Sequence, residues 1–98
     1  MTEFRLHPEA ARDITGIWEY IAKDSPQAAR RVRQDILEGI RKLLPFPHVG
    51  TRRPLRFIVV RDYLIAYAPD EKPLWVVAVL HGKRNPRTMA AILRGREH

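Results

Sequence analysis

The chain has 98 residues, no cysteine and a formal net charge of +7. This length predicts one domain, residues 1–98, with a modest core, and the lack of cysteine excludes disulfides and thiolate metal sites. No apolar run reaches the roughly 18 residues that a membrane span needs, and no signal peptide is apparent. We therefore expect a protein of the cytoplasm that does not act at a membrane.

The positive charge is concentrated in the second half of the chain. Residues 1–49 carry 8 Lys/Arg and 7 Asp/Glu, a net of +1, whereas residues 50–98 carry 10 Lys/Arg and 4 Asp/Glu, a net of +6. A field of this kind favours a polyanionic or acidic partner. The alternative is a solvated basic surface that serves solubility alone.

The first half predicts a short strand followed by two helices. The segment Glu3–Leu6 alternates in polarity, and Pro8 suits the first position of a helix. Ser25 and Pro26 predict the N-cap and first residue of the second helix. The two apolar stripes comprise Ile14, Ile17, Trp18 and Ile21, then Ala29, Val32, Ile36, Ile40 and Leu43. Since the connection is short, we expect an antiparallel helical hairpin, and Gly16 is expected to allow close packing of a neighbour.

The second half predicts three strands and a short helix. Residues 55–60, 63–68 and 74–80 form a meander, with a polar hairpin loop over residues 69–73. The uninterrupted apolar run of Leu74–Leu80 predicts a central strand that is covered on both faces, by the domain itself or in part by a partner. Asn85 and Pro86 then begin a helix that ends at Gly95. The predicted fold is α+β, with the helical hairpin on one face of a small, mainly antiparallel sheet.

Histidines and tyrosines are the remaining candidates for chemistry. His81 follows a strand and could shuttle protons, because its ordinary pKa is about 6.5; a hydrogen-bonded structural role is the alternative. His7 and His48 read as turn or cap residues. Tyr63 and Tyr67 share one strand face, for core packing or for base stacking. No cluster has metal-ligand spacing, so we expect neither a metal nor a cofactor.

Several segments carry a family resemblance, and they occur in a particular order. They are the helix-one pattern Pro8-x-Ala10…Asp13-Ile14…Ile17…Tyr20-Ile21, Ala28 in helix two, the Pro47…Gly50 turn, Leu55-Arg56, the Tyr63…Tyr67 strand and the closing His81-Gly-Lys-Arg84. Together they resemble the RelE/ParE superfamily, the toxin halves of bacterial toxin–antitoxin pairs. The resemblance covers nearly the whole chain.

The superfamily implies two activities. RelE-like members cut messenger RNA on the ribosome, and ParE-like members act against DNA gyrase and lack the nuclease residues. RNA-cleaving relatives usually place a basic residue inside the Tyr-x-x-x-Tyr strand and a tyrosine, or a similar acid/base group, near the C terminus. Here Leu64 occupies that strand position, and no tyrosine follows Tyr67. The resemblance therefore favours a ParE-like gyrase inhibitor that acts by binding and has no catalytic residue.

Two alternatives remain open at this point. A metal-independent, RelE-like endoribonuclease could use His81 as base and Arg61, Lys83 and Arg84 as cations. A non-toxic nucleic-acid-binding or scaffold domain could also have kept this fold.

The resemblance implies two binding surfaces. The target-binding basic surface would comprise Arg52, Arg53, Arg56, Arg61, Lys83, Arg84 and Arg87. An acidic, ParD-like antitoxin would form a hetero-oligomer with the toxin by folding into an apolar-lined groove. The residues expected to bind it are Trp75, Val77, Val79, Met89, Ile92 and Leu93.

Overall fold

The computed structural model describes residues 4–44, 55–69 and 73–96. The elements are β1 (Phe4–Leu6), α1 (Pro8–Ala22), α2 (Pro26–Arg41), β2 (Arg56–Val60), β3 (Tyr63–Ala68), β4 (Leu74–His81) and α3 (Pro86–Gly95). The predicted α+β order is confirmed. The Pro47–Gly50 turn, His48 and the middle of the 69–73 loop lie outside the described residues.

The three helices begin where capping side chains and prolines predict. A side-chain acceptor precedes a proline at the first helical position in each case, so one orphan backbone N–H is satisfied at each start. The acceptors are His7 Nδ1, Ser25 Oγ and Asn85 Oδ1, at 3.0, 3.1 and 2.8 Å from the backbone nitrogen that each one caps.

The sheet has four strands in the order β1-β4-β3-β2. Strand β1 runs parallel to β4, and the other pairs are antiparallel. The register shifts between Ala66 and Tyr67, which pair with Ala78 and Val76. Val77 is therefore the extra residue of a β-bulge, and side chains before and after it change faces. The apolar β4 strand is central, as its sequence predicts.

The face under α1 and α2 holds the main core. Ile36, Ile40, Ile65 and Val76 are fully buried there, with Ile14 packed beside them. The predicted stripes of both helices thus point to the sheet. Trp18, expected in this stripe, lies at its margin with 37% of its surface exposed.

The close approach of α2 to the sheet occurs at Gly39, and the expectation for Gly16 was wrong. A Cβ on Gly39 would lie 2.5 Å from Cγ2 of Val60 in β2, whereas a Cβ on Gly16 would meet nothing within 4 Å. Gly16 is exposed on α1, so its missing side chain has no packing role. The helix that needs a glycine is α2.

The other sheet face is covered by α3. Met89, Ile92 and Leu93 pack on a small cluster of Ala66, Ala78 and Leu80, so β4 is covered on both faces. No side chain of α3 is itself fully buried. This ten-residue helix is therefore a thin cover compared with the two helices opposite.

A charged pair joins the end of α3 to α1. Arg96 Nη1 lies 2.6 Å from Asp13 Oδ2, and Nη2 lies 3.1 Å from Oδ1. Both side chains are largely buried. Asp13 Oδ2 also accepts the Val79 N–H, and Arg96 donates to the Val77 carbonyl. The pair thus satisfies backbone groups of β4 beyond the end of the short strand β1.

Candidate functional site

Two turns meet at one end of the sheet and form the candidate site. The β2–β3 turn consists of Arg61 and Asp62, and Arg61 adopts the left-handed φ of 54° that tight hairpins use. The Gly82 N–H donates to the Asp62 carbonyl at 2.8 Å. A Cβ on Gly82 would lie 3.3 Å from that same oxygen. The small residue therefore lets the two turns approach closely.

A shallow pocket of about 280 Å³ lies at these turns. Its lining combines apolar and polar side chains: Val59, Arg61, Asp62, Tyr63, Leu64, His81, Gly82 and Lys83. The position where nucleolytic relatives place a cation is occupied by Leu64. Leu64 pairs with Val59 and with Leu80 across the sheet, so that position contributes apolar surface.

His81 is held in a structural hydrogen bond. Its Nδ1 accepts the Lys83 N–H at 3.1 Å, and its ring contacts the Tyr63 ring edge-on with centroids 5.5 Å apart. Because Nδ1 is engaged as an acceptor, the geometry assigns the proton of the neutral imidazole to Nε2. Neither nitrogen then offers a lone pair for proton abstraction. This arrangement favours the structural interpretation of His81 over the general base.

Tyr63 and Tyr67 both face the helix-covered core. Tyr67 is buried, and Tyr63 packs at the edge of the same cluster. Burial, followed by the negative charge of Asp62, raises the pKa of the Tyr63 hydroxyl above its ordinary value, and Arg61 opposes the shift. A tyrosine that keeps its hydroxyl proton and packs against the core supports core packing, and not base stacking, as the role of Tyr63.

The predicted basic residues that the structure describes divide into three groups. Lys83, Arg84 and Arg87 are exposed beside the start of α3, and no ion pair within the described residues involves them. Arg61 Nε lies 2.6 Å from Asp35 Oδ2 of α2 in a half-exposed ion pair. Arg56 is half-buried in β2.

Arg52 and Arg53 lie outside the described residues. The exposed cations of the predicted surface that form no ion pair within the described residues are thus Lys83, Arg84 and Arg87, which we call the basic tip.

The residues expected to bind an antitoxin do not form one open surface. Val79 is buried in the core under α1 and α2, and Val77 is buried at the bulge. Trp75 is half-buried, with its ring 5.7 Å from the His7 ring and 5.9 Å from the Arg5 guanidinium. The three α3 residues, Met89, Ile92 and Leu93, cover the sheet themselves. The expected groove floor is therefore occupied by α3.

An exposed apolar strip lies instead on β2. Phe57 is 48% exposed and Val59 is 71% exposed. Both pair with residues of the α3-covered face, Ala66 and Leu64, yet α3 does not cover them. Sequence reasoning missed this strip, although a signal for it exists: Phe57–Val60 is apolar at every position. A strand that is apolar on both faces keeps apolar side chains exposed when only one face is covered.

Two further classes of site find no support in the described part of the chain. No group of three or more His, Cys, Asp or Glu side chains is arranged to hold a metal ion there. None of the helices in that part combines the length and apolar character that crossing a bilayer requires.

Comparison with known proteins places this geometry in a family. Residues 4–86 match the family described as the ParE toxin of the type II toxin–antitoxin system parDE. A solved structure described as the chromosomal ParDE toxin–antitoxin system from P. aeruginosa is similar in fold, with a TM-score of 0.68 and 20% sequence identity. The alignment covers 83% of this chain and 96% of that one. A comparison with curated protein sequences returns no match.

Proposed function

Because the chain belongs to the ParE toxin family of type II toxin–antitoxin systems, we propose that it is a toxin that binds DNA gyrase in the cytoplasm. It blocks the strand-passage cycle of the enzyme and is neutralised by an acidic, ParD-like antitoxin. The similar solved structure is described as a ParDE system, which supports a partner of that kind for this chain.

The observation that favours gyrase binding over RNA cleavage is that the candidate catalytic groups of the pocket at the two turns are already engaged. Metal-free cleavage of RNA needs a base for the 2′-hydroxyl and cations for the phosphorane. His81 Nδ1 already accepts a backbone N–H, Arg61 is paired with Asp35, and Leu64 stands at the cationic position. A site in which the candidate base and cation are engaged in this way, and a leucine replaces the other cation, supports binding without catalysis.

The basic tip is the surface proposed to contact the target. Its three side chains, Lys83, Arg84 and Arg87, are exposed and lie within five positions of the sequence. Exposed cations steer association and contribute to binding in a salt-dependent way. We therefore expect charge reversal at the tip to weaken gyrase inhibition.

The test compares four proteins in two assays. Wild type, His81→Ala and the double variant Lys83→Glu/Arg84→Glu are assayed for gyrase supercoiling and cleavage-complex accumulation, and for messenger cleavage during translation. The control is Arg30→Glu/Arg33→Glu, which makes the same change in net charge on exposed positions of α2. Thermal unfolding verifies that every variant is folded.

We expect wild type, His81→Ala and the α2 control to inhibit gyrase, and the tip variant to lose at least tenfold in potency. No protein should cleave messenger. Messenger cleavage by wild type that disappears in His81→Ala, with gyrase unaffected, would replace this proposal with the ribonuclease. Inactivity of folded wild type in both assays would favour a scaffold domain.

A further inference from the structure

Strand β2 is an open edge of the sheet. It pairs with β3 on one side, and no strand of the described residues follows it on the other. The Val60–Tyr63 pair closes the two-residue turn, and in such a hairpin the closing pair exchanges hydrogen bonds. Alternation then directs the backbone N–H and C=O groups of Phe57 and Val59 away from β3. Two residues of β2 thus offer donors and acceptors outward.

The same two residues present the exposed apolar side chains. Phe57 and Val59 are 48% and 71% exposed, and the half-buried Leu64 continues their strip. Natural edge strands are usually protected by lysine, proline or a covering segment. Phe57 and Val59 have none of these protections within the described residues. Outward backbone groups and an apolar side-chain strip together suit the addition of an extended strand.

The net charge of the protein indicates which kind of molecule supplies the added strand. A second copy of this chain would itself carry a net charge of +7, and like net charges oppose that pairing. At the turn end of the strip, Lys83 lines the same pocket as Val59 and Leu64. A carboxylate that extends from an added strand would meet this lysine.

We propose that β2 is the strand-acceptor edge for the acidic antitoxin. An extended antitoxin segment pairs with the backbone of Phe57 and Val59, lays its apolar side chains on theirs and directs a carboxylate to Lys83. This inference rests on the proposed function, since that function supplies an acidic partner.

A groove of about 450 Å³ lies on the opposite side of β2, between α2 and β2, and its lining includes Asp35, Glu38 and Lys42. Both carboxylates are ion-paired, Asp35 with Arg61 and Glu38 with Arg41, so charge on this side does not restrict the added strand. The segment should therefore carry apolar residues at two positions two apart and an acidic residue two further on.

The first experiment measures backbone protection in the complex. The probe is the protein encoded by the open reading frame directly adjacent to the toxin gene, expressed with the toxin. Amide hydrogen exchange is followed by NMR with the toxin free and bound. We expect the Phe57 and Val59 amides to exchange at least tenfold more slowly in the complex. A complex in which these two amides exchange as in the free toxin would overturn the edge assignment and leave the gyrase proposal intact.

The second experiment uses a matched pair of variants. Val59→Lys places a charge on the edge, and Tyr20→Lys makes a comparable change on α1, where Tyr20 is 74% exposed. We expect Val59→Lys to weaken the antitoxin Kd at least tenfold and Tyr20→Lys to change it less than twofold. Val59→Pro removes the outward N–H while keeping an apolar side chain, and it should also weaken binding. Equal Kd values for Val59→Lys and Tyr20→Lys would overturn the proposal.

Two controls separate the remaining outcomes. If sedimentation shows that the toxin alone is a dimer that Val59→Lys dissociates, a second copy occupies the edge and the proposal is wrong. If wild type forms no complex with the protein encoded by the adjacent open reading frame, the antitoxin part of the proposed function fails together with this inference. The gyrase assay is independent of both results.

Discussion

The two faces of the sheet are covered in different ways. Under α1 and α2, Ile36, Ile40 and Val76 are fully buried. On the other face α3 contributes no fully buried side chain, and Phe57 and Val59 remain exposed beside it. Burial of apolar area is the main source of stability, so the helix face stabilises the domain. The α3 face leaves apolar area available for a partner.

The largest expected effect follows from truncation on the helix face. Ile36→Ala should lower the free energy of unfolding by about 2–4 kcal/mol, because it leaves a cavity in a closely packed core. The matched variant Phe57→Ala, on the partly exposed strip, should cost less than about 1 kcal/mol. Urea unfolding of both variants measures the difference. Similar losses would contradict the assignment of stability to one face.

The second expected effect concerns the attachment of α3. Arg96→Ala removes two hydrogen bonds to the Asp13 carboxylate and leaves that carboxylate largely buried. Hydrogen bonds to charged groups contribute about 1.5–3 kcal/mol, so we expect a loss of that size. Hydrogen exchange should also accelerate in α3 more than in α2.

The control for Arg96 is Arg94→Ala, which truncates an exposed arginine two residues earlier. It should change stability by less than about 0.5 kcal/mol. Equal effects of the two variants would show that α3 is held by its apolar contacts alone.

A smaller effect distinguishes two glycines. Gly39→Ala forces a methyl group against Val60, and overpacking of this kind costs about 1–3 kcal/mol. Helix propensity returns about 1 kcal/mol, so a net loss of up to about 2 kcal/mol is expected. Gly16→Ala has open space and should stabilise the domain by about 0.5–1 kcal/mol. Thermal unfolding of both variants tests the sign, and a stabilising Gly39→Ala would contradict the close approach of α2 to β2.

The sequence predicted the elements because their signals are local. A capping side chain before Pro26 or Pro86 and an apolar stripe at helical spacing need no information about the rest of the chain. The long-range features were not predictable in this way. Asp13 and Arg96 are 83 positions apart, and no local pattern joins them.

The placement of the predicted antitoxin-binding residues also depends on long-range contacts. Simple alternation would put Val79 on the same face as Trp75, but the bulge at Val77 moves Val79 under the helices. A bulge arises from pairing with β3 and leaves no separate signal in an apolar run. Whether α3 covers the sheet or leaves a groove is likewise a question of tertiary packing. Its Met89/Ile92/Leu93 stripe is compatible with either arrangement.

The smallest expected effect is on the pH dependence of stability, and it concerns Tyr63 at the rim of the sheet face that α1 and α2 cover. The pKa of Tyr63 is raised, first by burial and then by the charge of Asp62. Its hydroxyl therefore keeps its proton to higher pH in the folded domain than in the unfolded chain, where the ordinary pKa is about 10. As the pH rises through that value, the unfolded state releases more protons, and the free energy of unfolding falls.

Urea midpoints for wild type and Tyr63→Phe between about pH 8 and pH 11 measure this contribution. We expect the wild-type midpoint to fall more steeply with pH, because the phenylalanine variant has no hydroxyl proton to retain. Asp62→Asn should give an intermediate slope, since it removes the second cause and keeps the burial. Parallel slopes for all three proteins would mean that Tyr63 is hydrated in solution. The closely packed face would then end two register positions earlier, at the Ile65–Val79 pair.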